Sequence, residues 1–254
     1  MLNIVITMAG SGNNFTKEGY ATPKPLIPLK GIPMIRVVIN NLRPACEHQF
    51  IFICQKADVE QYGLAEKLEQ WAPGCRVIGI DGLMEGAACA VLAAREFITP
   101  AEPLMIANGD QYVDVDINDY LADMSKDGRD GMIMTITSSQ PKWQFFCSMS
   151  ENIVTNVTEK QIVPAEAAVG IYNFRKGGDF IKAVTSMIKR KHKAHGEYYV
   201  ALAYNEMIRK GARIGIHNIG QEAAGMYGLG IPEELDLFLS LPVCSRALEN
   251  MKWA

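Results

Sequence analysis

Apolar positions in the first half of the chain alternate between short continuous runs and helical stripes. The run from Asn3 to Met8 is short, apolar and ended by Ala9-Gly10, which predicts a buried strand. A loop rich in Gly, Asn and Pro follows, from Ala9 to Ile32. Pro33 then opens a helix whose apolar positions, Met34, Val37, Val38 and Leu42, share one face. Phe50–Cys54 reads as a second buried strand, 57–71 as an amphipathic helix, and Arg76–Ile80 as a third strand. Glu85–Phe97 is rich in alanine, the strongest helix former, and predicts a helix. Leu104–Ala107 is a strand that runs into Asn108-Gly109-Asp110.

Strand and helix in regular alternation imply an α/β layer with mainly parallel strands and right-handed crossovers. Ligands of such sheets gather at the carboxyl ends of the strands. The loop after the first strand and the Asn108-Gly109-Asp110 turn both lie at such ends, so two distant segments are expected in one crevice.

The pattern changes after about residue 130. Met132–Ser138, Phe145–Met149 and Ile153–Glu159 read as successive strands, the last two joined by a hairpin turn at Ser150-Glu151-Asn152. Ala168–Phe174 and Arg213–His217 are further strands, and 178–192 and 197–210 are helices. Pro232 opens a last helix, through Leu239. No repeat or linker interrupts the chain. The expectation is a single domain over 1–254, with a first part of about 1–130 and a second part of about 131–254.

Composition removes several classes. Charged residues at 21% and hydrophobic residues at 48% fit a globular chain, not a disordered one. Lys plus Arg number 25 and Asp plus Glu 28, a net charge of −3. Proteins that blanket nucleic-acid phosphates are far more basic, so no nucleic-acid partner is expected. No apolar stretch approaches the roughly 18–20 residues of a membrane span, and Met1-Leu2-Asn3 lacks the basic start of a leader. Membrane association is therefore not expected. The six cysteines form no Cys-x-x-Cys, and most lie among apolar residues. Buried free thiols in a reducing cytoplasm are the simplest account. His48, His192, His195 and His217 share no metal-ligand spacing. The basic run Lys189–Lys193 falls at a helix end, where it complements the helix dipole.

The densest chemical signal is Met8-Ala9-Gly10-Ser11-Gly12-Asn13-Asn14-Phe15, followed by Gly19-Tyr20-Ala21-Thr22-Pro23-Lys24-Pro25. A glycine-rich turn after a strand lets backbone N–H groups approach phosphate oxygens closely. Lys24 lies between two prolines, which partly preset its direction. A held ammonium beside such a turn suits a polyphosphate. The dinucleotide fingerprint and the Gly-Lys-Ser/Thr of a P-loop are both absent.

These segments resemble the sugar-phosphate nucleotidyltransferase family, and within it the nucleotidyltransferase-like proteins of capsular polysaccharide gene clusters. Met-Ala-Gly-x-Gly-x-x-Phe, Pro-Lys-Pro-Leu-Ile-Pro and Gly-x-Pro-Met-Ile carry the likeness at the N-terminus. It continues through Glu85-Gly86-Ala87-Ala88, Asn108-Gly109-Asp110 and Thr158-Glu159-Lys160. Val169-Gly170-Ile171-Tyr172, Gly196-Glu197-Tyr198-Tyr199 and Gly228-Leu229-Gly230-Ile231-Pro232 complete it, in the family's order.

The resemblance implies the Rossmann-like nucleotide-diphospho-sugar transferase (GT-A type) fold, an α/β architecture with a mixed, mostly parallel sheet flanked by helices. It implies a Mg²⁺-dependent enzyme that joins a nucleoside triphosphate to a small phosphorylated substrate and releases pyrophosphate. On that basis Lys24 and Asp110 are the expected catalytic residues, with Asp110 holding Mg²⁺. Ala9, Gly10, Ser11, Gly12, Asn13, Gly86, Ala87 and Asn108 would bind nucleotide. Glu159, Lys160, Gly170 and Glu197 would face the second substrate.

Two departures stand out. The family's usual Arg before the loop Phe is Asn14 here, with Lys17 nearby, and loss of such a charge clamp costs on the order of 10²–10³ in rate. An Asp that many members carry two residues before the final Gly-Thr-Pro is Gly228 here. Two other readings therefore stay open. One is a glycosyltransferase of the same fold, with Asn108-Gly109-Asp110 as its metal-binding motif. The other is a non-catalytic nucleotide-binding relative. The nucleobase, the acceptor and the oligomeric state, including a homo-oligomer, are left open.

Overall fold

The fold was obtained as a computed structural model that describes residues 1–10, 12–138, 140, 142–159, 165–249 and 251. Strand β1 (Leu2–Thr7) lies at the centre of the main sheet. It is flanked in parallel by β4 (His48–Gln55) and by β6 (Leu104–Asn108), and β4 carries β5 (Arg76–Ile80), also parallel. The order β5-β4-β1-β6 is the layer that the strand–helix alternation predicts. Beyond β6 the sheet becomes mixed. Strand β11 (Glu166–Phe174) runs antiparallel to β6 on one edge and to β8 (Gly131–Thr137) on the other. The hairpin β9 (Phe146–Ser150) and β10 (Ile153–Thr158) pairs with the start of β11, and β12 (Ile214–Asn218) runs parallel to β8.

The pleat sorts the core into two layers. Val5 faces a cluster that includes Ile51, Ile106 and the helices α5 (Ala87–Ala93), α7 (Gly177–Lys189) and α8 (Val200–Ile208). Ile4 and Ile6 face the opposite cluster, with Phe52, Met105, α2 (Met34–Leu42), α4 (Leu64–Trp71) and α6 (Ile117–Ser125). A third cluster joins Phe15, Ile27 and Leu29 of the long N-terminal loop to α9 (Pro232–Ser240) and α10 (Pro242–Glu249) through Phe238 and Val243. That packing holds the loop against the sheet's carboxyl edge.

Several elements differ from expectation, each for a local reason. The helix expected over 57–71 is two helices, α3 (Lys56–Tyr62) and α4, because Gly63 takes φ +58° between them. The loop from Ala9 to Ile32 contains helix α1 (Asn13–Lys17), a 3₁₀ turn at Lys24–Leu26 and a short ribbon of β2 (Pro28–Leu29) and β3 (Ile32–Pro33). The alanine-rich helix begins only at Ala87, and α8 only at Val200. Their preceding residues pair with each other instead, Tyr198 N–H with Glu85 C=O and Ala88 N–H with Tyr198 C=O. Pro232 does not open the last helix, since α10 follows α9. The hairpin turn is as expected: Glu151 and Asn152 have φ +48° and +64°, the twist that suits a two-residue connection. No helix of the described residues is long and apolar enough to cross a membrane.

A small second sheet was not foreseen. Strand β7 (Gln111–Val113) leaves Asp110 and pairs antiparallel with β14 (Gly225–Gly228), which also pairs with β13 (Gln221–Glu222). Asn41 pins β7 by bonding both backbone groups of Val113, at 2.8 and 2.9 Å. The pairing Gly228↔Gln111 lays the C-terminal segment directly beside Asp110.

Candidate active site

Strands β1 and β6 end side by side, with Thr7 opposite Asn108 in the register. Gly109 bends the chain over the end of β1, its N–H bonding Thr7 C=O at 3.2 Å. This delivers Asp110 to the crevice, where Lys24 Nζ lies 2.5 Å from Asp110 Oδ2. The lysine side chain is 19% exposed and the carboxylate 25%, so the pair stays within reach of a ligand. Pro25 is buried beneath the turn that starts at Lys24, which anchors the lysine backbone. The Leu229 N–H bonds the Asp110 C=O at 2.9 Å and fixes the aspartate from the other side.

Two cavities meet at this pair and share Thr7, Ala87, Asn108 and Asp110. The first, about 430 Å³, is lined by Ala9, Gly10, Lys24, Gly86, Ala87, Asn108, Asp110 and Glu197. Eight residues singled out in the sequence thus come together here from five separate segments. Gly86 has φ +99°, and a Cβ there would stand 2.5 Å from the Tyr198 carbonyl oxygen. Gln55 donates to both Ala9 C=O and Gly82 C=O, tying the glycine loop to the loop that precedes α5. Gly12 lines a neighbouring cavity of about 500 Å³, together with Gly10, Lys24 and Gln55.

The second cavity, about 340 Å³, has aromatic walls of Trp143, Phe145, Tyr172 and Tyr199, and polar groups from Gln111, Lys142 and Glu234. Gly170, at φ +81°, sits in its lining within the irregular part of β11. Any Cβ at Gly170 would overlap the Asn108 amide, so this glycine makes room for Asn108. Lys142 bonds Glu222 and lies 3.1 Å from Glu234. Burial pulls its pKa down, but these hydrogen bonds outweigh that and raise it above the usual lysine value.

Some expected residues are not brought here. Asn13 is exposed, because it starts α1 and its side chain turns to solvent. Glu159 lies at the end of β10, where its carboxylate pairs with exposed His195 at 3.2 Å, outside both cavities. Ser11 and Lys160 fall outside the described residues. The cysteines are also more varied than expected. Cys54, Cys147 and Cys244 are buried, Cys75 and Cys89 half-buried, and Cys46 exposed.

Lining residues of the second cavity that the sequence did not mark include Gln111, Lys142, Trp143, Gln144 and Glu234. Lys142 and Trp143 lie in the loop between β8 and β9, the one signal that could have marked them. Glu234 carried none, since it looks like an ordinary acidic residue in the first turn of a helix.

Residues 4–173 match the model of the MobA-like NTP transferase domain. The chain belongs to that family. Among curated proteins it is 26% identical over 212 residues to the bifunctional protein GlmU of Thermotoga maritima, covering 80% of this chain and 44% of that protein. The same protein from Thermotoga petrophila matches equally, at 26% over 212 residues. The chain thus spans less than half the length of these relatives. Its fold is shared with the nucleoside-diphosphate-sugar pyrophosphorylase of Vibrio cholerae RC9, with a TM-score of 0.76 and 23% identity over 94% of this chain and 100% of that one. It is also shared with the inositol-1-phosphate CTP transferase of T. maritima, with a TM-score of 0.71 and 14% identity over 97% and 96% of the two chains. The nucleotide-diphospho-sugar transferase fold expected from the resemblance is therefore the fold observed.

Proposed function

We propose that the protein is a nucleotidyltransferase that joins a nucleoside triphosphate to a small phosphate ester, by default a sugar phosphate, and releases pyrophosphate. Its product would be an activated precursor for surface polysaccharide. The observation that carries this reading is the Lys24–Asp110 pair at the junction of the two cavities. One cavity has Gly10 of the glycine loop and the Gly86–Ala87 segment in its lining, as a triphosphate and base require. The other has aromatic and amide walls suited to a hydroxylated acceptor.

The reaction is an in-line displacement. An oxygen of the acceptor phosphate forms a bond to the α-phosphorus, the bond from that phosphorus to the bridging oxygen breaks, and pyrophosphate leaves with the electron pair. Positioning and charge neutralisation do most of the work. Gly10 and Gly12 present backbone to the phosphates. Lys24 exchanges Asp110 for phosphate oxygens and holds them in line. Asn108 and Gly170 set the wall between the two substrates, and Glu197 faces the nucleotide-side cavity. Glu159 would take part only from the end of β10, and Lys160 keeps the substrate-side role that the resemblance implies.

The donor set fits Mg²⁺. Asp110 offers a hard carboxylate beside the Asn108 amide, and among the described residues no cluster of three or more His, Cys, Asp or Glu could hold a metal alone. Mg²⁺ is commonly held by one or two carboxylates with substrate phosphates completing the shell. When bound, it would neutralise charge on the reacting phosphates.

Thermal-shift titrations with the common nucleoside triphosphates, with and without Mg²⁺, test binding, because a ligand selective for the folded state raises Tm. A pyrophosphate-release screen of phosphate esters then tests turnover. A Mg²⁺-dependent shift followed by pyrophosphate release is expected. Shifts with nucleotide sugars alone would favour the glycosyltransferase, and shifts without any pyrophosphate release would favour a non-catalytic binder.

A further inference from the structure

Gly228 and Gly230 alternate with Leu229 where the chain leaves β14. A Cβ on Gly230 would stand 3.0 Å from Asp110 Oδ2, and one on Gly228 would overlap the Glu234 carboxylate. Two carboxylates therefore fill the space that side chains on this segment would take. They come from different elements, the turn after β6 and the first turn of α9, and both line the second cavity. Leu235 and Phe238 are buried and hold α9 in place with Glu234 toward the cavity.

Each carboxylate is matched by a lysine. Lys24 lies 2.5 Å from Asp110, and Lys142 lies 3.1 Å from Glu234 while also bonding Glu222. Gln111 lines the same cavity at 4% exposure, and its Nε2 has no hydrogen-bond partner among the described residues. A bare buried donor is costly, so the cavity suits an occupant rich in acceptor oxygens.

We infer that Glu234 is the second carboxylate of a divalent-cation site whose first is Asp110, with Lys142 holding its charge until the cation arrives. This rests on the transferase reading above. The resemblance places that carboxylate at residue 228, and here α9 supplies it from the side. Two carboxylates match the charge and hardness of Mg²⁺. Their release from Lys24 and Lys142 would free two ammonium groups for phosphate oxygens.

The test is Mn²⁺ binding to the full-length protein, followed by the electron paramagnetic resonance signal of free Mn²⁺, with circular dichroism to confirm folding of each variant. Glu234→Gln should raise the Kd at least tenfold, and Asp110→Asn at least as much, while Glu233→Gln on the same helix turn should leave it unchanged. The paired change Gly228→Asp with Glu234→Ala moves the carboxylate back to the strand and should return the Kd to within threefold of the parent. Parent-like binding in Glu234→Gln with loss in Asp110→Asn would overturn the role of Glu234 and leave the transferase reading standing. No loss in either variant, or no saturable binding by the parent, would overturn the cation site and the metal dependence of that reading together.

Discussion

Gly86 approaches the backbone of Tyr198 so closely that a Cβ on it would lie 2.5 Å from the carbonyl oxygen and 2.7 Å from the nitrogen. Ala88 N–H bonds that same carbonyl at 3.0 Å, so the start of α5 and the lead-in to α8 are fastened together at the first cavity. Gly86→Ala should therefore destabilise the fold. The left-handed φ of +99° alone costs roughly 1–2 kcal/mol, and the backbone clash adds to it. Thermal melting checks this, with triphosphate titration as the second readout. Both Tm and the ligand-induced shift should fall.

Lys24 and Asp110 should behave in the opposite way. Their pair is partly exposed, and such pairs contribute about 0–1 kcal/mol. Lys24→Ala and Asp110→Asn should leave Tm within a few degrees of the parent. Turnover should drop on the order of 10² or more, the scale seen when a preorganised charge or donor is lost. Pyrophosphate release and melting, measured on the same samples, separate the two effects.

Stability at low pH should depend on Glu206. Its carboxylate is 2% exposed, bonded by Arg209 and by Ser186 at 2.8 Å, with Arg190 at 4.0 Å and His192 at 3.8 Å. Burial works to raise its pKa, but these partners more than offset it and lower it below the ordinary 4.5. A depressed carboxylate pKa contributes stability that is full above the unfolded value and is lost as pH falls through the folded one. Urea melts from pH 7 to 3 should thus show stability falling below about pH 4.5. Glu206→Gln should be less stable at pH 7 and show a shallower acid slope.

The thiols should divide by burial. Burial pushes Cys54 and Cys147 up to about 12 and, with Glu69 adjacent, Cys75 up to about 11. Only the thiolate reacts readily. Iodoacetamide at pH 8 should label exposed Cys46 first and leave Cys54 and Cys147 untouched until the protein unfolds. Peptide mass spectrometry over a time course reads the order directly.

Much of the fold was legible because its signals are local. Val5 alternates with Ile4 and Ile6 across the sheet, and Met34, Val37, Val38 and Leu42 mark one helix face. Such patterns reside within a few residues. Errors came where distant backbone intervened, as at Glu85 and Tyr198, whose mutual bonds shorten both adjoining helices. Strand β7 and strand β14 are short and carry no clear alternation, so neither was foreseen.

By itself the sequence determined the main alternation of strands and helices, the glycine loop and the ends of β1 and β6 at which the cavities lie. Periodicity, turn chemistry and strand direction suffice for those. Only the tertiary structure decided which side chains meet. Lys24 and Asp110 are 86 residues apart, and Lys142 and Glu234 are 92 apart. Asn13 and Glu159 belong to the same motifs yet face away. No local pattern encodes such pairings. They follow from sheet register, from the packing of α9 against the N-terminal loop, and from glycines at 86, 170 and 228 that leave room for a distant group.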